Sequence, residues 1–464
     1  MAGLVMAGDD DTMYLQRRVV YIDQYHAAIL PGQNITTGIT HAIMAFANSS
    51  LFTTDPPGTY EPFMKVSDFR AMFDNGTKIG IAIGGWGDTA GFSQGCMNND
   101  SQVAYANNVK KMTDDLSFDF VDIDWEYPGG NGADYKQIPN SNKTSEIDNF
   151  GPFLRAIKTA LGDKQLSIAV PGTQPDMLAY TNATSKLIFD SVDMINLMSY
   201  DLMMRRSNET KHHTSVQGAR SAVWNYLDQG APASKINLGF AFYAKYFQTP
   251  ANATCDGPVG CPIVAAENAD GSDAQTSGAM TFEAANVGPA PPPEKLATTG
   301  DGTCGAATAG LTCAGRPDAP CCSQYGYCGA SAEHCGPMCQ PAYGSNCTGP
   351  DARASFRKAR AHGRLDEARG GMWYWDAERR LYWTWESVDL MVRKYDEIVA
   401  PLRLGGVMVW SLGEDSAGWC RVRVLAAVGD ENRPRPECMG HMQEQVAGNV
   451  SARALRAHSF HKVH

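Results

Sequence analysis

The sequence lacks long apolar runs and is poor in charge, above all in positive charge. No apolar run reaches the roughly 18 residues that a membrane-spanning helix needs, so no membrane partner is expected. The 39 lysines and arginines are outnumbered by 50 acidic residues, and the net charge is −11. Nucleic acids and anionic membranes bind basic patches, so neither is an expected partner, whereas a neutral or cationic ligand fits this charge. With 43% hydrophobic and only 19% charged residues, the 464-residue chain is predicted to bury a substantial core.

The first residues, "MAGLVMAGDDD", also lack the basic region and the apolar length of a signal peptide. The cysteines nevertheless indicate secretion. Eight of the 13 lie between Cys304 and Cys347, two further pairs are close in sequence (Cys255 with Cys261, Cys420 with Cys438), and only Cys96 has no obvious partner. Clustered, even-numbered cysteines and ten N-x-S/T sequons favour disulfides, an oxidising compartment and glycosylation. We therefore expect a secreted, extracellular glycoprotein with a trimmed or misassigned start.

Eight short apolar runs rich in β-branched residues recur along the chain, with helical patterns between them. Their near-continuous hydrophobicity is typical of parallel strands buried on both faces, and the alternation predicts an α/β (β/α)₈ barrel. About 160 residues separate the seventh run from the eighth, which predicts an α+β insertion there. The runs are "RVVYIDQY" (18–25), "THAIMAFAN" (40–48), "KIGIAIGGW" (78–86), "FDFVDIDWE" (118–126), "LSIAVPG" (166–172), "VDMINLMSY" (192–200), "KINLGFAFY" (235–243) and "GGVMVWSLG" (405–413).

Composition divides the chain into four segments. Residues 17–300 are predicted to hold the first seven barrel strands, 301–348 a cysteine-rich module, 349–425 the end of the insertion with the eighth strand, and 426–464 a tail. A proline-rich linker, "GPAPPPEKLATTGDG", leads into the module. The aromatic stripe at 370–387 is predicted to form a hairpin in the core of a small subdomain, in preference to contacting a ligand. We expect a monomer.

The fourth run, within "FDFVDIDWEYPGG" (118–130), carries the clearest functional signal. The two-residue period of a strand places Asp122, Asp124 and Glu126 on one face. Three neighbouring carboxylates repel one another and lose hydration on burial, so folding alone does not favour them. Glu126 lies at the carboxyl end of the strand, where barrels of this type hold their active sites. A calcium loop is the competing interpretation, but the Gly and Glu that it requires are absent, and no metal or other cofactor is expected.

The dipeptide His212–His213 in "KHH" suggests a metal pair, but adjacent residues of a strand point to opposite faces. A polar loop at the rim of the cleft is the favoured interpretation.

Four of these runs together resemble the glycoside hydrolase family 18 chitinases, most closely the secreted chitinases of filamentous fungi, over about residues 17–425 without the cysteine cluster. "DFVDIDWE" matches the DxxDxDxE signature, with Phe120 where glycine is common. "IAIGGWGD" is similar to the SxGG motif, with Ala82 in place of the serine. "LMSYD" resembles the MxYD motif, and "VMVWSLGED" resembles the eighth strand with its active-site tryptophan.

Cleavage of a glycosidic bond needs an acid, and Glu126 at the strand end is the natural one if its acidic neighbours raise its pKa. No second carboxylate is evident as a nucleophile, and family 18 is a substrate-assisted exception. The resemblance implies attack by the substrate's N-acetyl oxygen, with Asp124 binding the acetamide N–H and Tyr200 its carbonyl oxygen. It further implies that Asp122, which lies deeper in the barrel, exchanges a proton with Asp124, and that Asp119 has a structural role. Residues expected to bind the substrate are Trp410, Asp201, Met198, Trp86, Tyr127 and Tyr243.

The cysteine-rich segment is too short to build an apolar core without disulfides. Zinc is the alternative, but adjacent Cys321 and Cys322 suit disulfides better. "CCSQYGYCG" resembles hevein-type (type 1) chitin-binding domains. That resemblance implies a binding face of Ser323, Tyr325 and Tyr327, with His334 where a third aromatic residue is usual. It also implies the pairs Cys304–Cys322, Cys313–Cys328, Cys321–Cys335 and Cys339–Cys347.

The resemblances imply a retaining chitinase that acts on chitin and chito-oligosaccharides, with the module as a tether that contributes little to the chemical step. A disulfide-bonded knob that binds nothing is the alternative for the module. For the whole chain, the alternatives are a non-catalytic chitin-binding lectin and an endo-β-N-acetylglucosaminidase.

Overall fold

The computed structural model describes residues 16–27, 29–287, 294–305, 308, 310–415 and 418–429. The predicted tail, 426–464, lies almost entirely outside the described residues. The strands are β1 (Arg17–Asp23), β2 (His41–Ala47), β3 (Lys78–Gly84), β4 (Phe120–Asp124), β5 (Gln165–Pro171), β6 (Met194–Met198), β7 (Ile236–Ala241), β8 (Tyr243–Gln248), β9 (Ser277–Thr281), β10 (Ala297–Thr298), β11 (Leu311–Thr312), β12 (Cys321–Cys322), β13 (Cys328–Gly329), β14 (Arg364–Asp366), β15 (Gly371–Asp376), β16 (Leu381–Trp385) and β17 (Gly406–Trp410).

Eight of these strands close into a parallel barrel, which confirms the predicted fold. The order around the barrel is β1-β17-β7-β6-β5-β4-β3-β2, so β17, the eighth run, closes the ring against β1. Each barrel strand coincides with one of the eight predicted runs, although β1 and β5 begin one residue before theirs. Apolar residues on both faces explain this, because one face fills the barrel and the other packs against helices.

The described helices, apart from three between residues 284 and 362, cover the outside of the barrel. The helices are α1 (Gln33–Thr36), α2 (Val66–Arg70), α3 (Ala90–Gly95), α4 (Asn99–Asp115), α5 (Thr144–Leu161), α6 (Ser185–Asp190), α7 (Val216–Asp228), α8 (Ala284–Val287), α9 (Ala332–Cys335), α10 (Ala352–His362), α11 (Val388–Lys394) and α12 (Cys420–Ala427). The larger core lies between strands and helices, and a second cluster fills the barrel with residues such as Tyr21, Phe120 and Met408. Among the described helices, none has the length and apolar character to cross a membrane.

The insertion between β7 and β17 contains a five-stranded antiparallel sheet in the order β14-β15-β16-β8-β9. The aromatic stripe forms the predicted hairpin, β15 with β16, and its Tyr382 and Trp383 are fully buried. Tyr243 begins β8 of this sheet and does not lie in the barrel strand β7. The sheet therefore stands directly on the carboxyl end of the seventh barrel strand.

The cysteine-rich module lies between β9 and α10 in the chain. Disulfides join Cys304 to Cys322, Cys313 to Cys328, Cys321 to Cys335 and Cys339 to Cys347, the same pairs that the resemblance implies. Cys255 pairs with Cys261, and Cys96 is buried and free. Cys420 is disulfide-bonded, and Cys438, its expected partner, lies outside the described residues.

Candidate active site

The acidic face of β4 points into the barrel and towards its carboxyl end. Asp122 is completely buried and Asp124 almost so, whereas Glu126, beyond the end of the strand, is only partly buried at the mouth. Asp119 lies at the opposite end, where it pairs with Arg70 at 2.7 Å and accepts the Ile79 N–H at 2.8 Å. The three inner carboxylates therefore form a row from the barrel interior to the cleft, while Asp119 holds the start of the strand.

Asp122 is held by three hydrogen-bond donors that we did not predict from the sequence. The Ser167 hydroxyl donates to Oδ1 at 2.5 Å, the Asn196 amide to the same oxygen at 3.1 Å and the Tyr21 hydroxyl to Oδ2 at 2.7 Å. Burial raises the pKa of Asp122, and these three donors oppose that rise by stabilising the carboxylate. The signal that could have found them is a polar side chain in the middle of each of three predicted strand runs.

Asp124 presents an oxygen with no protein partner. Among the described residues, its buried Oδ1 has no hydrogen bond. Burial, followed by the charges of Glu126 and Asp122, raises the pKa of Asp124 well above its ordinary value. Its backbone is fixed by Gly85, whose N–H donates to the Asp124 carbonyl at 2.9 Å. Gly84 has a positive φ of 111°, and a Cβ there would stand 2.1 Å from that carbonyl, so glycine is required at this position.

Glu126 has the electrostatic character of a general acid. Burial raises its pKa to about 7, the hydrogen bond from Tyr127 opposes the rise, and the charges of Asp201 and Asp176 add to it. Both neighbouring carboxylates are paired with cations: Asp176 with Arg206 at 3.3 Å and Asp201 with Lys245 at 3.0 Å. Glu126 can therefore carry a proton near neutral pH.

Tyr200 and Asp201 stand beside this row, at the end of β6. Tyr200 is buried. Within the described part of the chain, the only hydrogen-bond partner of its hydroxyl is the Met408 sulfur, at 3.8 Å. Asp201 has a left-handed backbone with a φ of 55°. Burial alone would raise the pKa of Asp201, but Lys245, His213 and the Tyr243 hydroxyl at 2.7 Å together lower it. Asp201 is thus a fixed anion, and the Tyr200 hydroxyl is left able to bind a ligand.

The two histidines of "KHH" do not lie on the rim of the cleft, so that interpretation was wrong. Both are buried. His213 lies under Asp201 at 3.6 Å, and His212 contacts Asp366 of β14 at 3.0 Å. They support the junction between the barrel and the insertion sheet, and their side chains diverge as adjacent residues were expected to do.

Trp410 ends β17 and forms an aromatic surface inside the cleft. Its ring stacks on Phe46 with centroids 5.3 Å apart and planes 19° apart, and Tyr21 lies 5.7 Å away. Trp86, 51% exposed, meets Tyr127 edge-on at 6.4 Å. The cleft has a volume of about 870 Å³, and it is lined by the predicted residues Asp124, Glu126, Tyr127, Tyr200, Asp201, Met198, Tyr243, Trp86 and Trp410. Phe46, Tyr25, Arg206 and Lys245 line it as well and were not predicted.

The residues predicted for the module's binding face have different positions. Tyr325 lines the cleft of the barrel, whereas Tyr327 is 58% exposed on the module. Ser323 is buried, and its hydroxyl accepts the Tyr327 N–H at 3.2 Å. His334 is half-buried and bonded to the Ser331 hydroxyl at 2.7 Å. One residue of the expected binding face, Tyr325, therefore lies in the cleft, and the role of the module as a tether that contributes little to the chemical step stays a prediction.

Comparisons with known proteins agree with this geometry. Chitinase 1 of Aphanocladium album is 26% identical over 275 residues, which are 52% of this chain and 62% of that protein. Endochitinase 1 of Metarhizium robertsii is 31% identical over 188 residues, 37% of this chain and 42% of the relative. The chain thus spans less than two thirds of these curated relatives.

Solved structures show the same fold. A chitinase from Rhizomucor miehei superimposes with a TM-score of 0.59 at 16% identity, over 89% of this chain and 99% of that one. Catalytic domain 2 of an Ostrinia furnacalis group II chitinase, solved with an N-acetylated chito-oligosaccharide, gives a TM-score of 0.61 at 16% identity, over 91% and 98%. The family model for glycosyl hydrolases family 18 matches residues 17–415, from the first barrel strand to beyond the last. The chain belongs to the glycosyl hydrolases family 18.

Proposed function

We propose that this protein is a secreted chitinase that hydrolyses β-1,4-linked N-acetylglucosamine polymers with retention, using the substrate's own acetamide as the nucleophile. Family membership and the curated relatives named as chitinases support this substrate class. The observation that carries the proposal is the row of acids on β4: Asp122 with three donors, Asp124 with a buried unpaired oxygen, and Glu126 with a pKa of about 7 at the open end.

The row can perform the reaction in two steps. With a sugar ring on Trp410, the Glu126 carboxylic acid donates its proton to the glycosidic oxygen as that bond to the anomeric carbon breaks. The acetamide oxygen of the same sugar attacks the anomeric carbon, and an oxazolinium ion forms. The free Oδ1 of Asp124 accepts the acetamide N–H, and the Tyr200 hydroxyl donates to the acetamide oxygen. The Glu126 carboxylate then takes a proton from water, which attacks the anomeric carbon from the face that the leaving group occupied. The bond between the acetamide oxygen and the anomeric carbon breaks as the water attacks, which opens the oxazolinium ring and restores the acetamide.

A proton shared by Asp122 and Asp124 connects these steps. Asp124 must be an anion when positive charge develops on the oxazolinium ring, yet its pKa is raised in the free protein by burial and by its acidic neighbours. Asp122 can accept the proton that Asp124 releases. Its three donors occupy three of the roughly four acceptor sites of the carboxylate, so one site remains for the proton. The pair therefore titrates as one unit.

The carboxylates near Glu126 support substrate assistance over a protein nucleophile. Asp176 and Asp201 are the two acids outside β4 whose charges raise the pKa of Glu126. Arg206 and Lys245 hold them in ion pairs, which lowers their availability for attack on a sugar.

The test replaces the acid without changing its shape. Glu126→Gln is expected to reduce hydrolysis of chitohexaose by more than about a hundredfold, because general acid catalysis of this kind contributes at least that factor. Calorimetry should show that the variant still binds the hexasaccharide. Glu61→Gln, at an exposed glutamate outside the cleft, is the control. A Glu126→Gln protein that keeps more than about a tenth of the wild-type rate would refute the assignment.

The anomeric configuration of the first product tests the substrate-assisted mechanism separately from the identity of the acid. NMR of the first product should show the β-anomer, and chitosan stripped of acetyl groups should not be cleaved. A predominantly α product would exclude substrate assistance with retention. If the wild-type protein binds chitohexaose without cleaving it, the lectin alternative is correct. Cleavage confined to the core of N-glycans would instead indicate the endo-β-N-acetylglucosaminidase.

We propose further that the module binds chitin and that the protein is extracellular. The exposed ring of Tyr327 supports the first, because exposed aromatic side chains on a disulfide-bonded scaffold are typical of ligand sites. The disulfides support the second. So do the sequons, since all nine asparagines that fall in the described residues are exposed: Asn34, Asn48, Asn75, Asn99, Asn142, Asn182, Asn208, Asn252 and Asn346.

A further inference from the structure

Tyr325 belongs to the module by sequence and to the catalytic cleft by position. Among the described residues of 301–348, it is the one that lines the cleft with Glu126 and Trp410. Its ring is 63% exposed, so its apolar face is available to a ligand. Asp23 and Glu414 lie close enough for their charges, after burial, to raise the pKa of its hydroxyl. The ring therefore lies at the opening of the cleft, next to the carboxyl ends of β1 and β17.

Aromatic rings continue from the floor of the cleft to this position. Trp410 ends β17, Tyr25 follows β1, and these two strands are neighbours in the barrel. Tyr25 is 71% exposed and also lines the cleft. Trp86 lies on the other side, after β3 and beside the strand that leads to Glu126. Tyr25 and Tyr325 thus both offer exposed rings to the cleft on the side of β1.

The loop that carries Tyr325 is held in shape by the module. The Gly326 N–H donates to the Ser323 carbonyl at 3.1 Å, and Gly326 has a φ of 81° that suits glycine. Cys321 and Cys322 precede the turn directly, and they are bonded to Cys335 and Cys304 respectively. A ring on a loop fixed in this way loses little conformational entropy when a ligand binds.

We propose that Tyr325 is a substrate-binding residue of the catalytic cleft, where it stacks a sugar ring beyond the one that Trp410 holds. This inference rests on the proposed function and deepens it: the module lengthens the cleft and favours long chito-oligosaccharides. The buried position of Ser323 agrees, because it leaves aromatic stacking as the main contact at this turn.

The experiment compares chitohexaose with chitotriose in the full-length protein. Tyr325→Ala is expected to lower the ratio of the two kcat/KM values about five- to tenfold, mainly through the KM for chitohexaose, because one stacking contact is lost. Tyr325→Phe should restore the ratio, since it keeps the ring. Trp224→Ala is the control, because Trp224 is an exposed ring on α7 outside the cleft, and it should keep the wild-type ratio. Tyr327→Ala, on the same module but outside the cleft, separates the contribution of the cleft from that of the module's own surface. Intact disulfides and unchanged thermal unfolding establish that each variant is folded.

A wild-type ratio in Tyr325→Ala would overturn the proposal. So would equal losses in Tyr325→Ala and Tyr327→Ala, which would mean that the module binds as a separate unit. If the wild-type protein hydrolyses neither oligosaccharide, the proposed function fails and the inference is decided by calorimetry with chitohexaose. Weaker binding in Tyr325→Ala alone would then support the site, and equal binding in all variants would reject it.

Discussion

Replacing Glu126 by glutamine is expected to stabilise the protein at alkaline pH. Burial raises the pKa of Glu126 from 4.5 to about 7, so the folded protein binds this proton more tightly than the unfolded chain does. Stability from the raised pKa is fully present below pH 4.5 and is lost as the pH rises to about 7. A rise in the pKa from 4.5 to about 7 corresponds to about 3 kcal/mol of stability between these limits. Glutamine keeps the shape and the hydrogen bond from Tyr127 without carrying the charge.

Thermal unfolding measured at pH 4 and pH 8 tests this. We expect Glu126→Gln and the wild type to unfold at similar temperatures at pH 4. At pH 8 the variant should unfold several degrees higher, since each kcal/mol is worth about 2 °C in a large domain. Glu61→Gln, at an exposed site, controls for the loss of one negative charge. If the difference between variant and wild type is the same at both pH values, Glu126 is not desolvated in the way that its raised pKa requires.

Two further predictions concern the partners of the acids. Ser167→Ala removes the 2.5 Å donor to Asp122, which should raise the pKa of that buried carboxyl further and lower kcat on chitohexaose about tenfold; a wild-type kcat would show that the remaining two donors suffice. Lys245→Met removes the cation that lowers the pKa of Asp201, so Asp201 should take up a proton at higher pH. The acidic limb of the pH–rate profile should therefore shift to higher pH. A limb at the wild-type pH would contradict a role for ionised Asp201.

The barrel and the acid row could be predicted because their signals are local. Strands buried on both faces are near-continuous apolar runs, and all eight runs became barrel strands. Asp122, Asp124 and Glu126 share one strand, so the two-residue period alone places them on one face. The hairpin of β15 and β16 was predictable for the same reason, since its aromatic residues are contiguous.

The partners of the acids could not be predicted because they meet only when the barrel closes. Tyr21, Ser167 and Asn196 come from β1, β5 and β6, and each depends on the register of its strand. Phe46 under Trp410 likewise comes from a strand distant in sequence. The buried state of His212 and His213 depends on where the insertion sheet packs. The position of Tyr325 depends on how the module lies on the barrel, and a proline-rich linker carries no information about that orientation.

The substitution of Ala82 for the motif serine can now be understood from the register of the sheet. Asp122 lies between Ala82 of β3 and Ser167 of β5, its direct partners on either side. A hydroxyl is therefore missing on the β3 side and present on the β5 side, where it makes the shortest of the three hydrogen bonds to Asp122. A carboxylate has about four acceptor sites, and three are filled by Ser167, Asn196 and Tyr21. Ala82 adds no donor at the fourth site, so the departure from the motif is compatible with the proposed transfer of a proton from Asp124 to Asp122.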